Sequence, residues 1–245
     1  MKTVSIVCAL LFTSLFAHSQ VGVDLTLNSP ADRIVVVCNP LLPKFPNDRV
    51  VKYAQLSDGK THIDIPQDRA YVVVILVGDD ITKVNSTKYI EFYYFPEDKL
   101  EVYGDLVTDG YNDMVIKGGF YDEFFAKALP TYFELDKRYW ELLKASRANS
   151  QSADGGAVDI AFRMRSNNEK INIAKKFYIL NNPTSEVSAM FMIHITPVAP
   201  EFLTLYSHLD DSVKNGKFKE LLSIYVQIAE QMEATRNNNP NNNNK

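Results

Sequence analysis

The sequence predicts an α+β protein, with an N-terminal antiparallel β-sandwich-like domain followed by a helical region. Two observations predict it. Up to Lys117, short apolar runs recur about every ten residues with turn residues between them, the spacing of an antiparallel sandwich or partly open barrel. From Gly119 onward, apolar residues recur at intervals of three and four, the helical period. No helix-period segment interrupts the strands, which argues against a doubly wound parallel sheet. The change falls within Leu106–Lys127, LVTDGYNDMVIKGGFYDEFFAK, at the pair Gly118-Gly119.

The strands follow in order. Val21, Val23, Leu25 and Leu27 alternate, as a half-buried strand requires, and Pro30 ends the run. Arg33 to Cys38 is apolar almost throughout and reads as a strand buried on both faces. Pro40, Pro43 and Pro46 then forbid regular structure, since each removes a backbone donor and fixes φ. Arg49 to Leu56 and Thr61 to Ile65 flank Ser57-Asp58-Gly59-Lys60, the chemistry of a hairpin turn. Tyr71 to Val77 is the most β-prone run, closed by Gly78-Asp79-Asp80. Lys88 to Phe95, the turn Pro96 to Lys99 and Leu100 to Leu106 form another strand–turn–strand. Asp109-Gly110 turns the chain into a last short strand holding Met114 and Ile116.

The helical pattern starts with Phe120, Phe124, Phe125, Leu129, Phe133, Trp140 and Leu143. Pro130 lies inside it, which predicts a kink or break near Leu129. Ala148–Gly156 reads as a loop and Ala157–Leu180 as a second helix. Thr184–Ile193 follows with Thr184 or Ser185 as its cap, then Pro200–Leu209, then Lys217–Met232 after the Asn215-Gly216 break.

Composition and termini bound the setting. Lys2, an apolar run from Val4 to Ala17, and Ala17-His18-Ser19 match the charged, apolar and small-residue regions of a secretory signal. The run is shorter than the ~20 residues that span a bilayer. The expected division is therefore a signal peptide at 1–19, the strand domain at 20–117, the helical region at 118–235 and an Asn-rich disordered tail at 236–245. The expected location is periplasmic or secreted, with no transmembrane segment once the signal is removed. The formal net charge is −4, and loss of Lys2 makes it −5. No basic block of five residues occurs, which argues against nucleic acid as a partner.

No constellation of residues declares a reaction. His62, His194 and His208 lack the spacing of a zinc helix, and His194 reads as a satisfied core histidine. There is no G-x-S-x-G elbow, Walker A loop or G-x-G-x-x-G turn. Asp79-Asp80 and Asp210-Asp211 read as turn and cap residues. No cofactor is expected. With Cys8 inside the signal, Cys38 is the one cysteine left, and it reads either as a buried thiol or as a reactive one. Aromatics are the one enrichment, with 13 Tyr and 14 Phe. In Tyr89–Phe95, Phe92 and Tyr94 point one way while Tyr93 and Phe95 point the other. One side must be core. The other is either covered by helices or a binding platform, which makes Tyr93 and Tyr94 the candidate binding surface.

Three segments carry a family resemblance. Ile116-Lys117-Gly118 with Phe124 downstream is the first. Lys175 to Ala189, KKFYILNNPTSEVSA, is the second. Leu205–Leu209 with Val213–Phe218 is the third. In this order they resemble the N-terminal domain of unknown function in exported bacterial thiol–disulfide oxidoreductases of the TlpA/ResA kind, over Val23 to about Glu230. In that family the region leads into a thioredoxin domain bearing C-x-x-C, where this sequence has its Asn-rich tail. The resemblance implies an envelope location and a sandwich-plus-helices body, and carries over no catalytic residue. The expected function is an exported non-catalytic binding or interaction protein, accessory to a separate thioredoxin-like oxidoreductase. The alternatives are a redox protein using Cys38 with a partner's thiol, and a glycan-binding module using the Tyr89–Phe95 strand.

Overall fold

The computed structural model describes residues 21–45, 47–78, 89–107, 114–149, 156–195 and 199–237. The expected signal peptide with Cys8, Pro46, Asp79-Asp80, Asp109-Gly110, most of the 148–156 loop and the tail beyond Asn237 lie outside them.

Eight strands come first: β1 (Gly22–Asn28), β2 (Arg33–Pro40), β3 (Val50–Gln55), β4 (Lys60–Ile63), β5 (Tyr71–Val77), β6 (Tyr89–Tyr94), β7 (Lys99–Asp105) and β8 (Val115–Lys117). They form two four-stranded sheets, in the orders β4-β1-β7-β8 and β3-β2-β5-β6. The α+β reading of the sequence holds, strands first and helices after. Alternate residues of each strand face one shared core. Val23, Leu25 and Leu27 of β1 enter it from one sheet, and Val73 and Ile75 of β5 from the other. β2 is buried on both sides, with Ile34 through Cys38 at 5% exposure or less.

Two pairings depart from expectation. β3 and β4, expected as a hairpin across Ser57–Lys60, lie in different sheets and share only an isolated Ser57↔Lys60 bridge at the turn. β1 and β7 run parallel, in register from Gly22↔Lys99 to Asn28↔Asp105. Parallel neighbours need a long crossover. Here the crossover contains the whole second sheet, so the alternation within each strand does not reveal it.

Beyond β8 the chain turns at Gly118 (φ +98°) and Gly119 (φ +57°). The helices are α1 (Tyr121–Glu123), α2 (Phe133–Asn149), α3 (Gly156–Asn181), α4 (Glu186–His194), α5 (Ala199–His208), α6 (Asp211–Lys214) and α7 (Lys219–Asn237). The expected break at Pro130 is present and wider than a kink. A π-helical turn occupies Phe124–Ala128 and a 3₁₀ turn Leu129–Thr131. Pro130 cannot donate to the turn before it, so regular α hydrogen bonding stops there. Ser185 is the cap of α4, its hydroxyl accepting the Val187 N–H at 3.1 Å. Asp210 caps α6, accepting the Ser212 N–H at 2.9 Å. Helix α7 continues through Arg236 and Asn237, which the sequence assigned to the tail. Among the described residues no helix is long and apolar enough to cross a membrane.

The helices join the strands through aromatic contacts. Phe218, fully buried, meets Phe95, Phe120 and Tyr93 edge-on at centroid distances of 5.0, 5.6 and 5.4 Å.

Gly118 makes the turn testable. A Cβ there would run into the Lys99 carbonyl oxygen, on a backbone that side chains rarely adopt. Gly118→Ala is expected to destabilise the protein by at least about 1–3 kcal/mol, read as a lower denaturation midpoint. An unchanged midpoint would show that the turn has another conformation.

Candidate functional site

β6 is the edge strand of its sheet, so one side of its backbone lacks a strand partner. Its inward residues Ile90, Phe92 and Tyr94 are buried, while Tyr89 and Glu91 lie open and Tyr93 is half-buried. The tyrosine hydroxyl of Tyr121 closes the free edge. It accepts the Tyr93 N–H at 2.6 Å and donates to the Tyr93 carbonyl at 3.2 Å. One hydroxyl thus does the work of a neighbouring strand at this residue. Burial, only partly offset by the bond from Tyr93, holds the Tyr121 hydroxyl well above the usual tyrosine range, so it stays protonated and able to donate.

Between this face and the helices lies a cleft of about 190 Å³. Its walls are aromatic, with Tyr93 from the sheet, Phe124 and Phe125 from the π turn, Tyr132, and Phe191 of α4. The π turn brings both adjacent phenylalanines to the cleft, and such turns often accompany functional sites. Three polar side chains share it: Glu91, Lys175 and His194.

Their electrostatics are unusual. The Lys175 Nζ stands 5.6 Å from the ring centres of both Tyr132 and Phe191. Among the described residues it has no ion pair and no hydrogen bond. Desolvation lowers its pKa, with Asp136 opposing. The His194 Nε2 lies 3.0 Å from the Tyr93 hydroxyl. Desolvation first, then the Lys175 charge, pushes the imidazole down to about 4. His194 keeps more than a third of its surface open to water, and this solvation acts against the full shift, whose direction stands. Burial, the Glu91 charge and Tyr225 raise the Tyr93 hydroxyl, and burial raises the Glu91 carboxyl. At neutral pH the tyrosines and the imidazole are uncharged, and Lys175 is the cation of the cleft. The arrangement offers the Lys175 ammonium, the Glu91 carboxyl, a Tyr–His hydrogen bond and ring faces, and no thiol or serine hydroxyl is among its lining residues.

A larger groove of about 730 Å³ lies between the Leu41–Lys44 loop and Gly216–Leu221. Two of its cations are already neutralised: Arg69 pairs with Asp48 and Asp68, and Lys217 with Asp98. Lys44 and Lys219 also line it without an ion pair among the described residues, but both are exposed to water, whereas Lys175 stands against rings.

The residues singled out from sequence fare differently. Tyr93 lines the cleft. Tyr94 does not, being fully buried with its hydroxyl donating to the Asp98 carbonyl at 3.0 Å and accepting from Gln67 at 2.7 Å. The pair is thus split between core and cleft, and Tyr94 supplies no binding surface. Cys38 is also fully buried, in the strand core, and burial pushes its thiol up to about 11 despite nearby Lys52. Thiolate is the reactive form, so this environment is that of an inert thiol. His194 is a cleft residue rather than an enclosed core histidine. Asp211 stays exposed. Among the described residues no group of three or more His, Cys, Asp or Glu could hold a metal.

Lys175, Glu91, Tyr121 and Tyr132 were not anticipated. Lys175 carried a readable signal. It lies four residues after Ile171 and three before Tyr178, both buried, so a lysine sits within the apolar stripe of its helix.

Two outcomes test this geometry. Tyr121→Phe leaves the Tyr93 N–H and carbonyl unpartnered and should cost about 1–3 kcal/mol in chemical denaturation; a loss below a few tenths would show that water replaces the hydroxyl. His194 resists protonation in the folded state, so its contribution to stability is complete above pH 6.5 and is lost as the pH falls toward 4. His194→Gln should therefore lose less melting temperature than wild type over that window. Parallel curves would place the imidazole in an ordinary environment.

Compared with family models, with curated proteins and with solved structures, the chain finds no match in any of the three.

Proposed function

We propose that this chain is an exported, non-catalytic binding protein of the bacterial cell envelope, and that its ligand site is the cleft between β6 and the helices. The carrying observation is the desolvated Lys175, without an ion pair inside an aromatic-walled cleft. A cavity with a few convergent polar groups of perturbed pKa is the physical profile of a binding site. The Lys2 and Val4–Ala17 pattern supports export. N-terminal sequencing of the protein recovered from the envelope fraction tests this: a start near Gln20 supports it, and an intact Met1 in the cytoplasm overturns it.

A second reading rests on α3. Val158, Phe162, Ile173, Phe177 and Leu180 stand 46–76% exposed on this helix, at intervals that place most of them on one side. Exposed apolar surface of this kind suits a protein partner. The resemblance suggests a thioredoxin-like oxidoreductase, for which this chain would be an accessory. Burial of Cys38 weighs against a thiol exchange between the two, and the half-covered Tyr93 and buried Tyr94 weigh against a glycan platform. In a pull-down from envelope extract, the wild type and Cys38→Ser should capture such a partner equally, and Phe177→Glu should lose at least tenfold. Capture of no oxidoreductase by the wild type removes the accessory reading, and dependence on Cys38 restores the redox one.

A further inference from the structure

Several other lysines on the helical layer have carboxylate partners. Lys127 pairs with Glu123 at 3.7 Å, Lys176 with Glu201 at 2.7 Å, and Lys214 with Asp211 at 3.3 Å. Lys217 pairs with Asp98. Lys175, one residue from Lys176, has ring faces against its ammonium, no ion pair among the described residues, and the Asp136 carboxylate acting on it only through space. An ammonium taken from water without a counter-ion is costly, and two rings return only part of that cost. An incoming anion would supply the missing partner.

The cleft limits what that anion can be. An apolar cavity of roughly 150 Å³ accepts benzene, so about 190 Å³ admits one ring bearing a small substituent. Tyr132 and Phe191, the rings under the ammonium, also form the wall beside it, where a ligand ring finds edge-on or offset partners. Glu91 lines the same cleft without pairing to Lys175, and its charge disfavours a second negative group on the ligand.

Taking the cleft as a ligand site, we propose that it binds a small aromatic monocarboxylate, whose carboxylate pairs with Lys175 and whose ring packs against Tyr132 and Phe191. Four features of the site converge on this class: one cation without an ion-pair partner, aromatic walls, room for a single ring, and a carboxylate that disfavours dianions. A neutral aromatic would leave the ammonium unpaired. A bare small anion would leave the rings unfilled.

The test is a calorimetric and NMR titration of the signal-free chain with benzoate, benzamide and acetate, on the wild type, Lys175→Met and Lys175→Arg. Benzoate is expected to saturate, with benzamide and acetate each at least tenfold weaker. Lys175→Met should lose at least tenfold in benzoate affinity, and Lys175→Arg should retain most of it. A circular dichroism melt of each variant confirms that it is folded. Equal binding of benzoate and benzamide, or undiminished binding to folded Lys175→Met, overturns the pairing. Equal binding of benzoate and acetate overturns the aromatic requirement. Binding of benzamide alone, with Tyr132 and Phe191 resonances shifted, would refute the anionic class while leaving the cleft as the ligand site. No perturbation by any of the three probes would refute the proposed ligand class, whereas the envelope recovery experiment addresses the exported-protein reading separately.

Discussion

The structure depends on the junction made by Asp98, Lys217 and Phe218. Asp98 belongs to the turn between β6 and β7 and is only 8% exposed. One of its carboxylate oxygens accepts the Phe95 N–H at 3.1 Å, holding the turn, and the other pairs with the Lys217 ammonium, 119 residues away. The same ammonium lies 5.1 Å over the Phe95 ring. The next residue, Phe218, fills the space between Phe95, Phe120 and Tyr93. A nearly buried charge left without its partner costs several kcal/mol, and loss of a buried phenylalanine leaves a cavity worth about 3–5 kcal/mol. The ion pair fixes direction and register; the ring supplies most of the packing. Together with the Tyr121 and His194 contacts to Tyr93, they position the helices against β6.

That position creates the cleft and also solves the edge-strand problem. An open edge invites pairing with another chain. Here Tyr121, set by the glycine turn, occupies the hydrogen-bonding groups of Tyr93, and Phe218 and His194 stand against its ring. Protection of the edge and formation of the cleft are consequences of one packing arrangement. Tyr93 serves both, through its backbone on one side and its hydroxyl on the other.

Lys175 is where stability and recognition diverge. A Met of similar length would fill its place among Tyr132 and Phe191 without the desolvated charge. A sequence that departs from the locally favourable choice commonly does so at a functional position. The imidazole of His194 is held down first by burial and then by the field of that charge. The cluster is coupled, and an anion at Lys175 would be felt at His194.

The sequence by itself determined what depends on local periodicity and on residues with special backbones. The eight strands, the helices from Tyr121 onward, the break at Pro130, the Gly118-Gly119 turn and the Ser185 cap are of this kind. Each follows from a spacing of two or of three to four, or from a missing donor or missing Cβ. Tertiary structure decided which element covers which face. Alternation places Tyr93 and Tyr94 on opposite sides of β6 without saying which side is core. It does not show that β7 lies parallel beside β1, nor that Pro130 widens the preceding turn enough to aim Phe124 and Phe125 into a cleft. Lys175 falls in an apolar stripe of its helix, between Ile171 and Tyr178. Only the approach of Tyr132 and Phe191, from outside its own helix, sets ring faces against its ammonium. Periodicity reports that a face is apolar; the chemistry of a site depends on what arrives from elsewhere in the chain to meet it.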